Sequence, residues 1–263
     1  MALARFTHIG GPTLLIEIDG WRLLTDPTFD APGRRYTFGW GSSSRKVLGP
    51  AVAAADLPPI DVVLLSHDQH GDNLDDAGRA LLGSAGRVIT TVSAARRLGA
   101  NAEGLRRWAT TTLSAAGRPS IEVTATPGRH GPPLSRPIVG EATGFALRWP
   151  GQEHGALWIS GDTVRFRGLD EVARRVDIGT AVVHLGGVRF PVSGPVRYTL
   201  TAKPALKLLE AMTAHTVIPV HYEGWSHFVE GRGEVERVLA GASETIRASV
   251  RWLPLGTATP ITV

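Results

Sequence analysis

Residues 64–75 read LLSHDQHGDNLD, and that stretch constrains the chain more than any other. An apolar run, Val62-Val63-Leu64-Leu65, stops abruptly at Ser66-His67-Asp68-Gln69-His70-Gly71-Asp72-Asn73. Two imidazoles and two carboxylates fall within six residues, where a buried strand is expected to end. Burying such groups without partners costs several kcal/mol, so a plain hydrophobic core has no use for them. A shared cation resolves that cost, because neutral imidazole and ionised carboxylate are good ligands for zinc and similar ions.

One cluster cannot close a metal site, so further ligands must arrive from elsewhere. The chain has nine histidines, and three more ligand-type residues sit at the ends of β-like runs. They are His130 in VTATPGRHGP, Asp162 in ALWISGDT and His221 in TVIPVHYEGW. Asp26 in WRLLTDPTFD follows the same pattern. Gly or Pro flanks each one, ending the strand and letting the backbone approach closely. Loops at the strand ends of a rigid sheet are where such proteins carry their sites.

The order of Asp26, the cluster at 67–73, His130, Asp162 and His221 resembles the five ordered motifs of the metallo-β-lactamase fold, over nearly the whole chain. SGDT and IPVHYEGW are similar to the branch containing ascorbate-phosphate lactonase and N-acyl phosphatidylethanolamine phospholipase D. The resemblance implies a four-layer αββα sandwich with two metals held between two sheets. It implies hydrolysis of esters, lactones, amides or phosphodiesters. Its ligands would be His67, His70, Asp72, His130, Asp162 and His221, with Asp26 orienting the cluster loop by hydrogen bonding.

The family pattern is His-x-His-x-Asp-His, and this chain departs from it. One extra residue separates His67 from His70, and Asn73 stands where the last His belongs. If the turn absorbs the insertion, His67 is the first ligand and Asp68 lies behind it. If register is counted back from Asp75, Asp68 takes that place. Asn73 offers a carbonyl oxygen without charge, a poorer ligand for zinc. The second metal would then have Asp72, Asp162 and His221, one nitrogen short, and could prefer a harder ion such as Mn²⁺. The expected cofactors are one or two divalent ions, zinc foremost, with Mn or Fe as substitutes.

Composition bounds the remaining choices. The chain has 263 residues and no linker or compositional break, so one domain over 1–263 is expected, with 43% hydrophobic residues to fill a core. Cysteine is absent, which excludes disulfides and thiolate ligands. The start MALARFTHIG lacks the apolar centre of a signal peptide, and no run reaches the ~20 apolar residues of a membrane span, so a cytoplasmic protein is expected. The net charge of +4 is spread over arginines in singles and pairs, which argues against a nucleic-acid partner and leaves a small-molecule substrate.

The pattern predicts strands at 6–17, 21–24, 62–65, 87–91, 121–126, 143–149, 156–160, 181–185, 217–220 and 250–253. It predicts helices at 72–82, 93–98, 169–176, 201–213 and 233–239, with Thr201 as a cap and Pro204 in the first turn. The Gly-, Pro- and Ser-rich stretch 31–59 reads as a long loop near the mouth of the site. His184, which ends AVVHLGG, is a candidate for the same cleft. Tyr222, Trp225 and His227 are candidates to wall the substrate pocket, and Arg189 and Arg197 to hold an anionic group.

A bound cation would make hydroxide available at neutral pH, and Asp72 would position it. No protein nucleophile is then required, which suits a chain with neither cysteine nor a Gly-x-Ser-x-Gly elbow. Two other readings remain open: an iron oxidoreductase on the same fold, and a metal-poor binding or regulatory relative.

Overall fold

The computed structural model describes residues 3–39, 41–99 and 101–263. Met1 and Ala2 of the N-terminal stretch, and Trp40 of the 31–59 loop, lie outside the described residues. In chain order the strands are β1 (Leu3–Gly10), β2 (Thr13–Ile18), β3 (Trp21–Thr25), β4 (Arg35–Thr37), β5 (Ser43–Arg45), β6 (Val62–Leu64), β7 (Arg87–Thr91), β8 (Ala102–Leu105), β9 (Thr110–Leu113), β10 (Ile121–Pro127), β11 (Thr143–Arg148), β12 (Ala156–Ile159), β13 (Ile178–His184), β14 (Thr216–Val220) and β15 (Thr259–Thr262). The helices are α1 (Asp76–Leu81), α2 (Val92–Leu98), α3 (Arg136–Val139), α4 (Arg167–Arg175), α5 (Ala202–Met212), α6 (Arg232–Leu239) and α7 (Glu244–Ser249).

Two sheets result. The first runs β15-β1-β2-β3-β6-β7-β8 and the second β14-β13-β12-β11-β10-β9. Their facing sides share one apolar core: Phe6, Ile16, Leu23, Leu64 and Ile89 from the first meet Val123, Phe145, Leu157, Val182 and Ile218 from the second. The outer face of the second sheet is covered by α4, α5 and α6, which bury Leu169, Val172, Leu208, Leu209 and Val235 on Trp158, Ala181 and Val183. The outer face of the first buries Leu24, Val63 and Val88 against Leu74, Leu82 and the flank of α1. Helices therefore lie outside two sheets, the expected αββα order, because each sheet has two apolar faces to hide.

Strand direction decides where a site can form. β3, β6 and β7 run parallel to one another, as do β12, β13 and β14, and β10 shares the direction of β12 through the antiparallel β11 between them. The C-terminal ends of β3 and β6 therefore open at one end of their sheet, and those of β10, β12, β13 and β14 at one end of theirs.

Several local expectations need correction. The run at 6–17 is two strands, broken at Gly11-Pro12, with Gly11 in the left-handed region at φ 54°. The helix expected from Asp72 starts at Asp76, because the Asp75 carboxylate accepts the Gly78 N–H at 2.8 Å and so caps it. Asp72 and Asn73 stay in a turn closed by Leu74 N donating to His70 O. Residues 250–253 are not a strand; Val250 makes one isolated bridge to Val217, and the last strand is β15. The 31–59 loop contains the hairpin β4–β5.

Candidate metal centre

The turn after β6 brings His67 and His70 round to face His130, which follows β10. His67 Nε2 lies 3.0 Å from His70 Nδ1, and His130 Nε2 lies 2.9 Å from that same atom. A tetrahedral ion with ~2.0–2.1 Å bonds to nitrogen would set such atoms about 3.3 Å apart. The extra residue is absorbed in the turn, with Gln69 turned to solvent. Asp68 points away and pairs with Arg97 at 2.5 and 2.8 Å. Of the two registers, the geometry brings His67 into the cluster and leaves Asp68 out.

A second set faces the first. Asp72, Asp162 and His221 offer donor atoms that all lie within 4.8 Å of one another, as do those of His67, His70 and His130. His221 Nε2 is 3.6 Å from Asp72 and 3.5 Å from Asp162. Asp72 Oδ1, both Asp162 oxygens, His221 Nε2 and Asn73 Oδ1 are buried without a hydrogen-bond partner. Buried polar atoms are almost always paired, so the four unpaired ones on the converging Asp72, Asp162 and His221 mark a place built for something else. A divalent cation fits, because carboxylate and imidazole donors converge.

In the metal-free protein the two sets differ in protonation. Burial, reinforced by neighbouring imidazoles, holds His67 well below its ordinary value and His130 down at about 3, so both are neutral donors. Burial also lowers His70. Asp162 is pushed up to about 7 by burial, against the attraction of His221 and with the repulsion of Asp72 added. For His221 burial acts downward, but Asp162 and Asp72 prevail and raise it to about 9.

Neighbouring groups fix the rings. His130 Nδ1 donates to Tyr198 O at 2.9 Å and His221 Nδ1 to Leu185 O at 3.3 Å, which directs each Nε2 at its cluster. Asp26 Oδ1 accepts Ser66 N at 2.6 Å and so ties the end of β3 to the cluster loop. Asp26 and His221 hold positive φ, 32° and 59°, conformations that non-glycine residues keep only where surroundings impose them. Gly161 precedes Asp162 at φ 57°, and a Cβ there would lie 2.3 Å from Thr143 O, so only glycine lets the backbone pass.

The other candidates divide. His227 reaches the site through Asp72, its Nε2 2.9 Å from Oδ2, and its Nδ1 meets Ser44 Oγ. His184 lies behind the centre, bonded to Asp26 at 3.2 Å and buried there, so it does not open into the cleft. Tyr222 packs edge-on against Trp252 in the core under the helices, because its strand end turns it outward. Trp225 is buried against Tyr36 and Phe38. A cavity of about 210 Å³ meets both sets, with His70, Asp72 and His130 at its base. Its walls are Phe38, Phe190, Tyr198, Val139, Val188 and Val192, none foreseen from sequence; aromatic residues inside the Gly- and Pro-rich loops TFGWG and RFPVSGP were the available signal. Arg189 and Arg197 do not line it. A cavity of about 330 Å³ beyond His130 carries Arg107, Arg129 and Arg136, but touches no other member of the two sets.

An αββα sandwich with two buried His/Asp donor sets at its strand ends is the frame of a metal-dependent hydrolase. The family described as "Beta-lactamase superfamily domain" matches residues 21–222, and the chain belongs to it. It is 26% identical over 247 residues to a UPF0173 metal-dependent hydrolase of Carboxydothermus hydrogenoformans, covering 88% of this chain and 90% of that one. A UPF0173 metal-dependent hydrolase of Pyrococcus abyssi is 22% identical over 198 residues, covering 73% and 79%. Among solved structures, the isothiocyanate hydrolase from Delia radicum gut bacteria aligns with a TM-score of 0.80 at 18% identity, over 98% of this chain and all of that one (100%). The chain is a metal-dependent hydrolase of the β-lactamase superfamily. Among the described residues, no helix is long and apolar enough to cross a membrane.

Proposed function

We propose that His67, His70 and His130 hold one divalent cation and Asp72, Asp162 and His221 a second, and that the protein hydrolyses an ester-, lactone- or phosphodiester-type bond there. The observation that carries this reading is the set of buried, unpartnered atoms on Asp72, Asp162 and His221. Such cations, when bound, lower the pKa of water from ~16 toward ~7 and polarise a carbonyl or phosphoryl oxygen. Zinc suits the three-nitrogen set; the second set, with one nitrogen and carboxylate oxygens, also suits Mn or Fe.

The chain's own residues do the rest. Asp72 is the member of the second set that lines the cavity, with Oδ1 unpaired, so it would hold the second cation and orient the attacking water. His227 fixes the other oxygen of Asp72, and the Ser44 hydroxyl fixes His227. The new bond joins the water oxygen to the acyl or phosphoryl centre, the old ester bond breaks, and the proton leaves with the alcohol. The SGDT and HYEGW contexts support the lactonase and phosphodiesterase branch named above. The iron oxidoreductase and metal-poor readings are less favoured, since the relatives bear hydrolase names.

Elemental analysis after purification without chelator, followed by metal add-back, tests the sites. A panel of p-nitrophenyl esters, bis-p-nitrophenyl phosphate and simple lactones tests the reaction. Bound transition metal with chelator-sensitive turnover is expected. Metal far below stoichiometric, with no rescue on add-back, would overturn the proposal.

A further inference from the structure

The cavity that meets both donor sets has a one-sided chemistry. His70, Asp72 and His130 form its base, and outward of them the wall is Phe38, Phe190, Tyr198 and valines, with small neutral residues between. Phe38 and Phe190 lie 5.2 Å apart, and Phe190 and Tyr198 5.8 Å, so the aromatic lining is continuous. Among the described residues no lysine or arginine lines it, and Asp72 is the one carboxylate. The chain is rich in arginine, and three arginines line the adjoining cavity beyond His130, so their absence here is local. At about 210 Å³ the cavity falls below the ~300–1,000 Å³ of sites that hold drug-sized ligands.

We infer that the part of the substrate projecting from the reacting bond is short, uncharged and apolar. This deepens the hydrolase reading and rests on it. A charged distal group would have to shed its water against phenyl and isopropyl walls, with only the neutral hydroxyls of Ser42, Ser193 and Tyr198 and no cation to offset its charge. An apolar distal group gains about fourfold in affinity for each methylene taken out of water, until the cavity is full. The reacting end is excluded from this argument, because a bound cation would attract an anion there whatever the wall.

The test therefore holds the reacting end fixed. Metal-loaded protein is given p-nitrophenyl acetate, butyrate and hexanoate, and mono-p-nitrophenyl adipate, which matches hexanoate in length but ends in a carboxylate. We expect kcat/KM to rise by roughly 15-fold from acetate to butyrate, two methylenes, and hexanoate to exceed adipate by at least about 100-fold. Val192 stands on the exposed rim. Val192→Arg should raise adipate turnover about tenfold, a gain typical of one added charge contact, and so lower the hexanoate-to-adipate ratio by at least that factor. Adipate within a few-fold of hexanoate in the natural protein overturns the inference, as does a hexanoate-to-adipate ratio that Val192→Arg leaves untouched.

Should no ester be turned over, the ester reading of the substrate fails, and binding alone decides the pocket. Saturation-transfer NMR compares hexanamide with adipamate, its distal carboxylate counterpart, under aromatic irradiation. Transfer to hexanamide alone supports the inference. Equal or greater transfer to adipamate, or none to either, overturns it.

Discussion

Replacing Lys46 by methionine tests how the cavity wall is tied to the donor cluster. Lys46 follows the hairpin that carries Phe38, and its Nζ sits 2.7 Å from Asp75 Oδ2, with the side chains 3% and 0% exposed. The same carboxylate accepts Phe29 N at 2.9 Å, Asp30 N at 2.7 Å and Gly78 N at 2.8 Å. Breaking a buried pair by removing one partner costs about 3–5 kcal/mol. In Lys46→Met the three backbone donors still satisfy Asp75, so the loss should fall near the lower end, about 3 kcal/mol. Asp75→Asn leaves the ammonium stranded and weakens all three N–H bonds, so about 4 kcal/mol is expected. The double variant carries no stranded charge and should be less destabilised than the sum by at least about 1.5 kcal/mol. At roughly 2–4 °C per kcal/mol for a chain of this size, Lys46→Met alone should lower Tm by about 6–12 °C. Urea unfolding of metal-free protein, followed by fluorescence and far-UV circular dichroism together, measures all three. Losses that add to within about 0.5 kcal/mol would refute the reasoning, since independent groups behave that way.

Three further outcomes are expected. Asp72→Ala should cut turnover at least ~10²-fold while the fold survives, as circular dichroism would check, and full activity would contradict its assigned role. His67→Ala should lower metal occupancy far more than Asp68→Ala, measured by elemental analysis; the reverse order would mean that Asp68 is the ligand. The metal-free protein should lose stability as pH falls from about 6.5. Burial depresses His8, His67, His70, His130, His184 and His227, and His130 titrates at about 3, so the unfolded chain binds protons there that the fold does not. Asp162, raised to about 7, opposes this with one proton taken up by the fold, and His221, raised to about 9, is protonated in both states below pH 6.5. The opposing proton is outnumbered, so midpoint urea concentrations that stay flat between pH 6.5 and 5 would show the sign to be wrong.

What the sequence disclosed was whatever is written in local order. Apolar runs ending in His or Asp marked β3, β6, β10, β12 and β14, and the structure places Asp26, His67, His130, Asp162 and His221 just after them. The choice between His67 and Asp68 could not be made from spacing, because it depends on a turn and on Arg97, distant in sequence, which draws Asp68 away. The cavity was hidden for a related reason. Phe38 and Phe190 come from loops 152 positions apart by number, and nothing local tells a wall residue from a core one. Tyr222 and Trp225 were misplaced because proximity to His221 in sequence does not fix facing: the chain leaves β14 through a left-handed residue and turns Tyr222 toward the helices. The Asp75 hub needed the 31–59 loop to be folded before Lys46 could be seen as its partner.

The donors of the two sets are drawn from both sheets, from His67 in the first half of the chain to His221 near its end. No fragment containing only one sheet can assemble either complete set, since His130 completes the first and Asp72 belongs to the second. If the two sets hold cations as proposed, capture of the ions would follow docking of the sheets, and coordination would then rivet one sheet to the other alongside the core contacts. On that assignment the folded fraction would depend on free metal concentration through RT ln(1 + [L]/Kd), so scarcity of the ion would lower the amount of enzyme as well as its activity.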